Sequence, residues 1–217
     1  MTTAHNTYQK REEILNVVTH GLGALLSIPA FIVLMVESYA QDSISNMIIY
    51  MIYGISLMVL YFSSTGYHWV QNPKWRNPLN VWDHISIYLL IAGSYGPFAL
   101  IGMKGSTIGL VIFIIVWVFA LVGIIIKIFY FGKYHILSAI AYVIMGWIAV
   151  IGIGTMLEMM PLAAVLWLFG GGIAYTLGAV LYLFDDKIPY NHAIFHVFVL
   201  IGSACHYYAV YTYLLNA

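Results

Sequence analysis

Charged residues are scarce in this sequence. Only 7% of its 217 residues are Asp, Glu, Lys or Arg, while 63% are hydrophobic; a typical soluble domain has roughly 25% charged residues. This composition excludes an ordinary soluble fold. The formal net charge is zero, so nothing indicates a nucleic-acid partner. The single cysteine, Cys205, excludes an internal disulfide, and no cleavable signal sequence is expected.

Long apolar runs dominate instead. Seven stretches, each near the roughly 20 residues that cross a bilayer as a helix, predict an all-α integral membrane bundle of seven transmembrane helices. They run approximately over residues 13–36, 46–70, 80–102, 107–127, 134–155, 162–184 and 190–214. The connections are short, and there is no convincing repeat or linker. We therefore expect a single seven-span membrane domain over residues 1–217, with a short cytoplasmic tail at 1–12.

The basic residues predict the orientation of these spans. With the N-terminus cytoplasmic and the C-terminus outside, seven of the eight basic residues lie on the cytoplasmic side, and only Lys104 lies outside. An excess of Lys and Arg in short loops is typical of the cytoplasmic side of a membrane protein. We expect a multi-pass protein of the cell (plasma) membrane. The seven residues are Lys10, Arg11, Lys74, Arg76, Lys127, Lys133 and Lys187.

Polar residues of four spans fall at one depth. In this topology His20 lies about two turns into span one, His68 near the end of span two and Asp83 near the start of span three. His192 and His196 lie near the start of span seven. At a rise of 1.5 Å per residue, all five fall in the cytoplasmic half of the bilayer. Ionisable groups in that position are costly and need partners.

A metal ion would satisfy these groups. His192 and His196, four residues apart, present their rings to one point on a helix, and His68 would be a third ligand. Three protein ligands leave a position for water, as in catalytic zinc sites. Asp83 could hold or deprotonate that water, and Ser64 could hydrogen-bond nearby. The alternative is that these histidines make interhelical hydrogen bonds or lie at the membrane interface.

Two further histidines have less defined roles. His20 shares a helix face with Glu13 and Asn16, and it either supports the metal ligands or only packs through Asn16. His206 lies on the same stripe of span seven as His196 but about 15 Å further along the helix axis. It is too far away to be a ligand of the same ion. We therefore interpret His206 as a buried polar residue or part of a proton pathway.

Four motifs carry a resemblance to a known family. They are NVVTHGLGA (16–24), SSTGYH (63–68), VWDHISIYLLIAGSYGPF (81–98) and HAIFH (192–196). In this order on spans one, two, three and seven, they resemble the hemolysin III branch of the progestin and adiponectin receptor superfamily. The resemblance extends over essentially the whole chain. It implies seven spans with a cytoplasmic N-terminus.

The resemblance also implies a site. Members of the superfamily hold Zn²⁺ with histidines that match His68, His192 and His196. The aspartate that matches Asp83 lies beside the zinc-bound water, with the serine that matches Ser64 near it. Related eukaryotic receptors are associated with hydrolysis of the ceramide amide. Some bacterial members are described as hemolysins or channel-forming proteins.

Three functions are consistent with these features. The first is a zinc-dependent membrane hydrolase that acts on a lipid amide or ester, with membrane lipid as the substrate. The second is a channel- or pore-forming hemolysin that causes cytolysis. A chain with seven apolar spans has no evident soluble state, which a secreted pore-former would need. The third is a seven-span receptor or sensor in which zinc is structural.

Overall fold

The computed structural model describes residues 2–130, 133–184 and 188–215. These residues form a helical bundle and contain no strand. The α-helices are α1 (Thr2–Ala40), α2 (Ile44–Trp69), α3 (Pro73–Gly96), α4 (Thr107–Phe129), α5 (His135–Trp147), α6 (Ile153–Met159), α7 (Leu162–Tyr182) and α8 (Asn191–Ala209). A π-helical segment, Pro97–Gly102, extends α3, and another, Val210–Leu214, extends α8.

The predicted number of spans is confirmed. Among the described residues, seven helical segments are long and apolar enough to cross a membrane, and α5 and α6 together make the fifth. The segments are Lys10–Ala40, Ile44–Trp69, Pro73–Gly102, Thr107–Phe129, Ile136–Met159, Leu162–Tyr182 and Asn191–Leu214. The protein is thus a multi-pass integral membrane protein. Its orientation remains a prediction, and Lys187, one of the residues used for it, lies outside the described residues.

Polar caps determine where three of the helices begin. Ser43 accepts a hydrogen bond from the Asn46 backbone N–H at the start of α2, and Ser106 accepts one from Gly109 at the start of α4. Asn72 does the same for α3, where Pro73 occupies the first helical position. Side-chain oxygens at these positions satisfy backbone donors that have no partner within the helix.

Contacts of α1 with α2 and α8 close the bundle. Each of α1 to α4 packs against the next, α7 packs against α8, and α8 returns to α1. The first half of α1 therefore lies between the end of α2 and the start of α8. This arrangement brings the polar residues of the first, second and seventh spans together, as the shared depth predicted.

The fifth span is interrupted by a 3₁₀ segment, Ile148–Gly152. The Tyr95 hydroxyl, on α3, explains how the interruption is tolerated in a membrane. It contacts the carbonyl oxygens of Met145 and Gly146 at 3.0 and 2.7 Å, and it accepts the Ala149 N–H at 2.9 Å. A neighbouring helix thereby satisfies backbone groups that the break would otherwise leave unpaired in lipid.

Small residues line the face of α7 that packs against α8, and one of them differs from the residue that the spacing suggests. Four-residue spacing predicts packing through Gly170, Ala174 and Gly178. In the structure Gly170 is exposed, and Gly171 takes its place beside Ala174 and Gly178. A side chain at position 171 would overlap the His206 ring, and one at 178 would press on Phe198. Close backbone approach of this kind is typical of helix pairs in membranes.

Candidate metal centre

Three predicted ligands come together in the structure. One ring nitrogen from each of His68, His192 and His196 lies within 4.8 Å of the other two. His192 and His196 lie on successive turns of α8, with ring centroids 4.7 Å apart, and each centroid is 5.1 Å from that of His68 on α2. The three side chains are therefore close enough to hold one metal ion.

The protonation of His68 is set by a carboxylate. Its Nδ1 lies 2.7 Å from Oε2 of Glu13 on α1. A carboxylate only accepts hydrogen bonds, so Nδ1 carries the proton and Nε2 presents its lone pair. Within the part of the chain that the structure describes, Nε2 is buried and has no hydrogen-bond partner. This nitrogen is the one left to bind a metal.

His196 is oriented in the same way by Thr19. The Thr19 hydroxyl donates its one proton to the carbonyl oxygen of Leu15, at 2.8 Å, or of Asn16, at 3.1 Å. With its proton on one of these carbonyl oxygens, it accepts a hydrogen bond from Nδ1 of His196, which lies 3.2 Å away. In this arrangement Nδ1 carries the proton and the lone pair of the His196 ring is on Nε2.

The cluster fits a metal ion on these observations. A ligating histidine usually donates its other ring N–H to a carboxylate or another oxygen, which fixes the ring and raises its basicity. Glu13 and Thr19 supply such oxygens to His68 and His196. The donor set of three imidazoles is one that Zn²⁺ accepts, and it leaves a coordination position for water.

Asp83 lies beside this cluster and outside the ligand set. Its carboxylate is close enough to interact electrostatically with His68 and His192. The Ser64 hydroxyl is buried and close enough to this carboxylate to interact with it. Both side chains line the same cavity as the three histidines. They are thus placed near any group that the metal would hold.

His20 is part of the cluster without joining the ligands. Its ring stacks on that of His196 with centroids 3.5 Å apart, and the ring is 3% exposed. Neither of its nitrogens has a hydrogen-bond partner among the described residues. The suggested contact with Asn16 is not the one formed, because the Asn16 amide nitrogen lies 3.4 Å from His68 Nδ1.

The role of Glu13 was missed at the level of sequence. Its second oxygen pairs with the Arg76 guanidinium, which itself donates to the carbonyl oxygen of Val70 at 3.2 Å and lies over the Tyr67 ring. A chain of contacts thus runs from α3 through α1 to His68 on α2. The sequence does show that Glu13 and His20 share a helix face. It does not show which helix this face packs against.

Replacing Glu13 with Gln should weaken metal binding. The amide removes the charge that holds the His68 Nδ1 proton, so His68 becomes a weaker and less well-oriented ligand. We expect the affinity for Zn²⁺ to fall about 10- to 100-fold. Competition with a chromophoric chelator, in detergent, measures this. Glu37→Gln, on the exposed far end of α1, is the control, and equal affinities in the two variants would contradict the role of Glu13.

Comparison with known proteins places the chain in a family. The family model described as "Haemolysin-III related" matches residues 8–207. "Hemolysin-3" of Bacillus cereus is 41% identical over 205 residues, which is 94% of this chain and 93% of the relative. "Hemolysin-3 homolog" of Bacillus subtilis (strain 168) is 41% identical over 203 residues, 94% of each chain.

A more distant relative is human. "Monocyte to macrophage differentiation factor" of Homo sapiens is 31% identical over 214 residues, which is 95% of this chain and 86% of the relative. This similarity connects the chain to the progestin and adiponectin receptor superfamily. The residues that match the family model extend over nearly all seven spans and include the positions of the histidine cluster. The chain belongs to the haemolysin-III-related family.

Proposed function

We propose that the protein is a zinc-dependent hydrolase of a membrane lipid amide or ester. The observation that carries the proposal is the group of His68, His192 and His196, of which His68 and His196 are buried, with Asp83 beside them. A purely structural zinc site is usually closed by four protein ligands. This cluster supplies three, and a carboxylate lies beside them.

Each side chain has a chemical role in this proposal. Zinc, when bound, would polarise the scissile carbonyl and make a water molecule more acidic. Asp83 would accept the proton of the attacking water at its carboxylate and return it to the leaving group. The Ser64 hydroxyl, close to Asp83, would donate a hydrogen bond that orients the carboxylate or the substrate. Glu13 and Thr19 would keep the histidine rings in place.

The cavity around the cluster supports a lipid substrate. It has a volume of about 1300 Å³, above the roughly 300–1,000 Å³ of most ligand pockets. One continuous wall includes the three histidines and Asp83, and it extends along α8 to His206. Much of the rest is apolar, with side chains such as Leu90, Phe98 and Val199. A long acyl chain would be accommodated by such a space.

Release of fatty acid from a labelled ceramide, and from an ester with the same acyl chain, tests the proposal. We expect the purified wild type to hydrolyse at least one of the two and His192→Ala to hydrolyse neither. Loss of activity with a zinc chelator, and its return with added Zn²⁺, would support the same conclusion. Hydrolysis by His192→Ala at the wild-type rate would overturn the proposal. A zinc-loaded wild type without turnover would favour the sensor.

Pore formation is the second candidate, and the naming of the bacterial relatives as hemolysins favours it. It is tested with liposomes that contain a self-quenched dye. Leakage caused by the purified protein, equal in wild type and His192→Ala, would support a pore that does not depend on the histidines. If leakage instead requires His192, lysis follows from the lipid chemistry, and the hydrolase is favoured.

A further inference from the structure

His206 lies at the other end of the cavity from the metal centre. It follows His196 by ten residues on α8, a distance of about 15 Å along the helix, and both residues line the same continuous cavity. The side chain is 7% exposed. None of the roles proposed above for the histidine cluster uses it.

Among the described residues, one ring nitrogen of His206 has a hydrogen-bond partner and the other has none. Nε2 lies 3.0 Å from the carbonyl oxygen of Leu168 on α7. A carbonyl oxygen only accepts, so Nε2 carries the proton. A charged imidazolium would be very costly among these apolar walls, so the ring is neutral and Nδ1 presents a lone pair. Nδ1 is buried and has no hydrogen-bond partner in the part of the chain that the structure describes.

Packing against α7 fixes the direction of this lone pair. The edge of the His206 ring formed by Cδ2 and Nε2 lies against Gly171, where any side chain would overlap it. The Nδ1 edge is therefore turned away from α7. Phe98 and Tyr175 meet the ring in edge-to-face contacts, with centroid distances of 5.8 and 5.3 Å. The Tyr175 hydroxyl is engaged by Ser203 at 2.8 Å.

Nδ1 is thus an acceptor without a partner among the described residues, on a side chain that lines the cavity. A methylene group placed there would leave the acceptor buried and unsatisfied, which costs more than a mismatch between apolar groups. A hydroxyl group would satisfy it. Sites that hydrogen-bond a ligand hydroxyl discriminate strongly against the analogue that lacks it.

We propose that His206 Nδ1 accepts a hydrogen bond from a hydroxyl group in mid-chain of an elongated lipid whose carbonyl end lies at the histidine cluster. The ligand class is therefore a hydroxylated acyl chain with its hydroxyl about 15 Å from the carbonyl end. This rests on the proposed function only for the direction in which the chain lies. The hydroxyl preference itself concerns binding and needs no turnover.

Binding of ricinoleic acid and oleic acid to the purified wild type tests the proposal. The two acids share their length and double bond, and ricinoleic acid adds one mid-chain hydroxyl. We expect ricinoleic acid to bind about 2- to 10-fold more tightly, the range that one net hydrogen bond gives. The methyl ether of ricinoleic acid cannot donate and should lose this advantage. Equal affinities for ricinoleic and oleic acid would overturn the proposal.

Two variants locate the acceptor. His206→Phe keeps an aromatic ring and removes both nitrogens, so the two acids should bind it equally. Tyr175→Phe leaves His206 in place and should keep the preference; its loss there would assign the hydroxyl to Tyr175 and overturn the role of His206. Helical circular dichroism and gel filtration show whether each variant is folded. A wild type that prefers ricinoleic acid but hydrolyses no amide or ester would contradict the proposed function alone.

Discussion

The double variant His192→Ala, His196→Ala is expected to contain no zinc, whereas the wild type contains about one ion per chain, as one three-histidine site requires. The variant keeps only His68, and a single imidazole does not retain the ion through purification. Elemental mass spectrometry of protein purified in detergent without chelator measures the ratio. Both substituted residues lie on one helix, in the cluster whose nitrogens are within 4.8 Å of one another.

A matched control separates ligand loss from a general effect of losing histidine. His206→Gln alters another buried histidine of α8, outside the cluster, and should leave the zinc content unchanged. The same zinc content in wild type and double variant would show that the ion binds elsewhere. Absence of metal from the wild type would mean that the histidines form a polar network between helices, which was the alternative interpretation of the sequence.

The spans and the grouping of the three histidines could be predicted from sequence because they depend on local patterns. Apolar length predicts a helix that crosses the bilayer, and the four-residue spacing of His192 and His196 places both on one helix face. His68 could be added because its depth follows from the position of its span. None of these steps needs the rotation of one helix against another.

The partners of the ligands depend on that rotation, and the sequence could not provide it. Glu13 was placed on one face of α1 with Asn16 and His20, but the sequence did not indicate that this face meets α2 at His68. On α7 the packing positions Ala174 and Gly178 were right, and Gly170 was wrong by one residue for the same reason.

The interruption of the fifth span was invisible for a different reason. Its cause is the Tyr95 hydroxyl on another helix, which satisfies backbone groups of the break. No proline marks the position, and the apolar run from 134 to 155 reads as one continuous helix. A contact between helices that are distant in sequence leaves no local pattern.

Replacing Asp83 with Asn should abolish most of the hydrolysis and leave the zinc in place. Asn has the shape of Asp but cannot accept the proton of the attacking water at neutral pH. General-base catalysis contributes about 10²- to 10⁴-fold, so we expect kcat to fall by that factor. Asp83 is not among the grouped ligands, so the zinc content should stay at the wild-type level. Single-turnover assays on zinc-loaded protein measure the rate.

The combination of lost turnover and retained zinc distinguishes a proton-accepting role from a ligand role. Loss of both would make Asp83 a ligand or an essential structural neighbour of the ligands. Full turnover would remove it from the chemistry and leave the histidine cluster without a base. Asp42→Asn is the matched control, because Asp42 is exposed in the turn between α1 and α2 and its positive φ of 50° is readily adopted by Asn. This control should keep both the zinc and the rate, since the turn lies at the opposite end of α2 from His68.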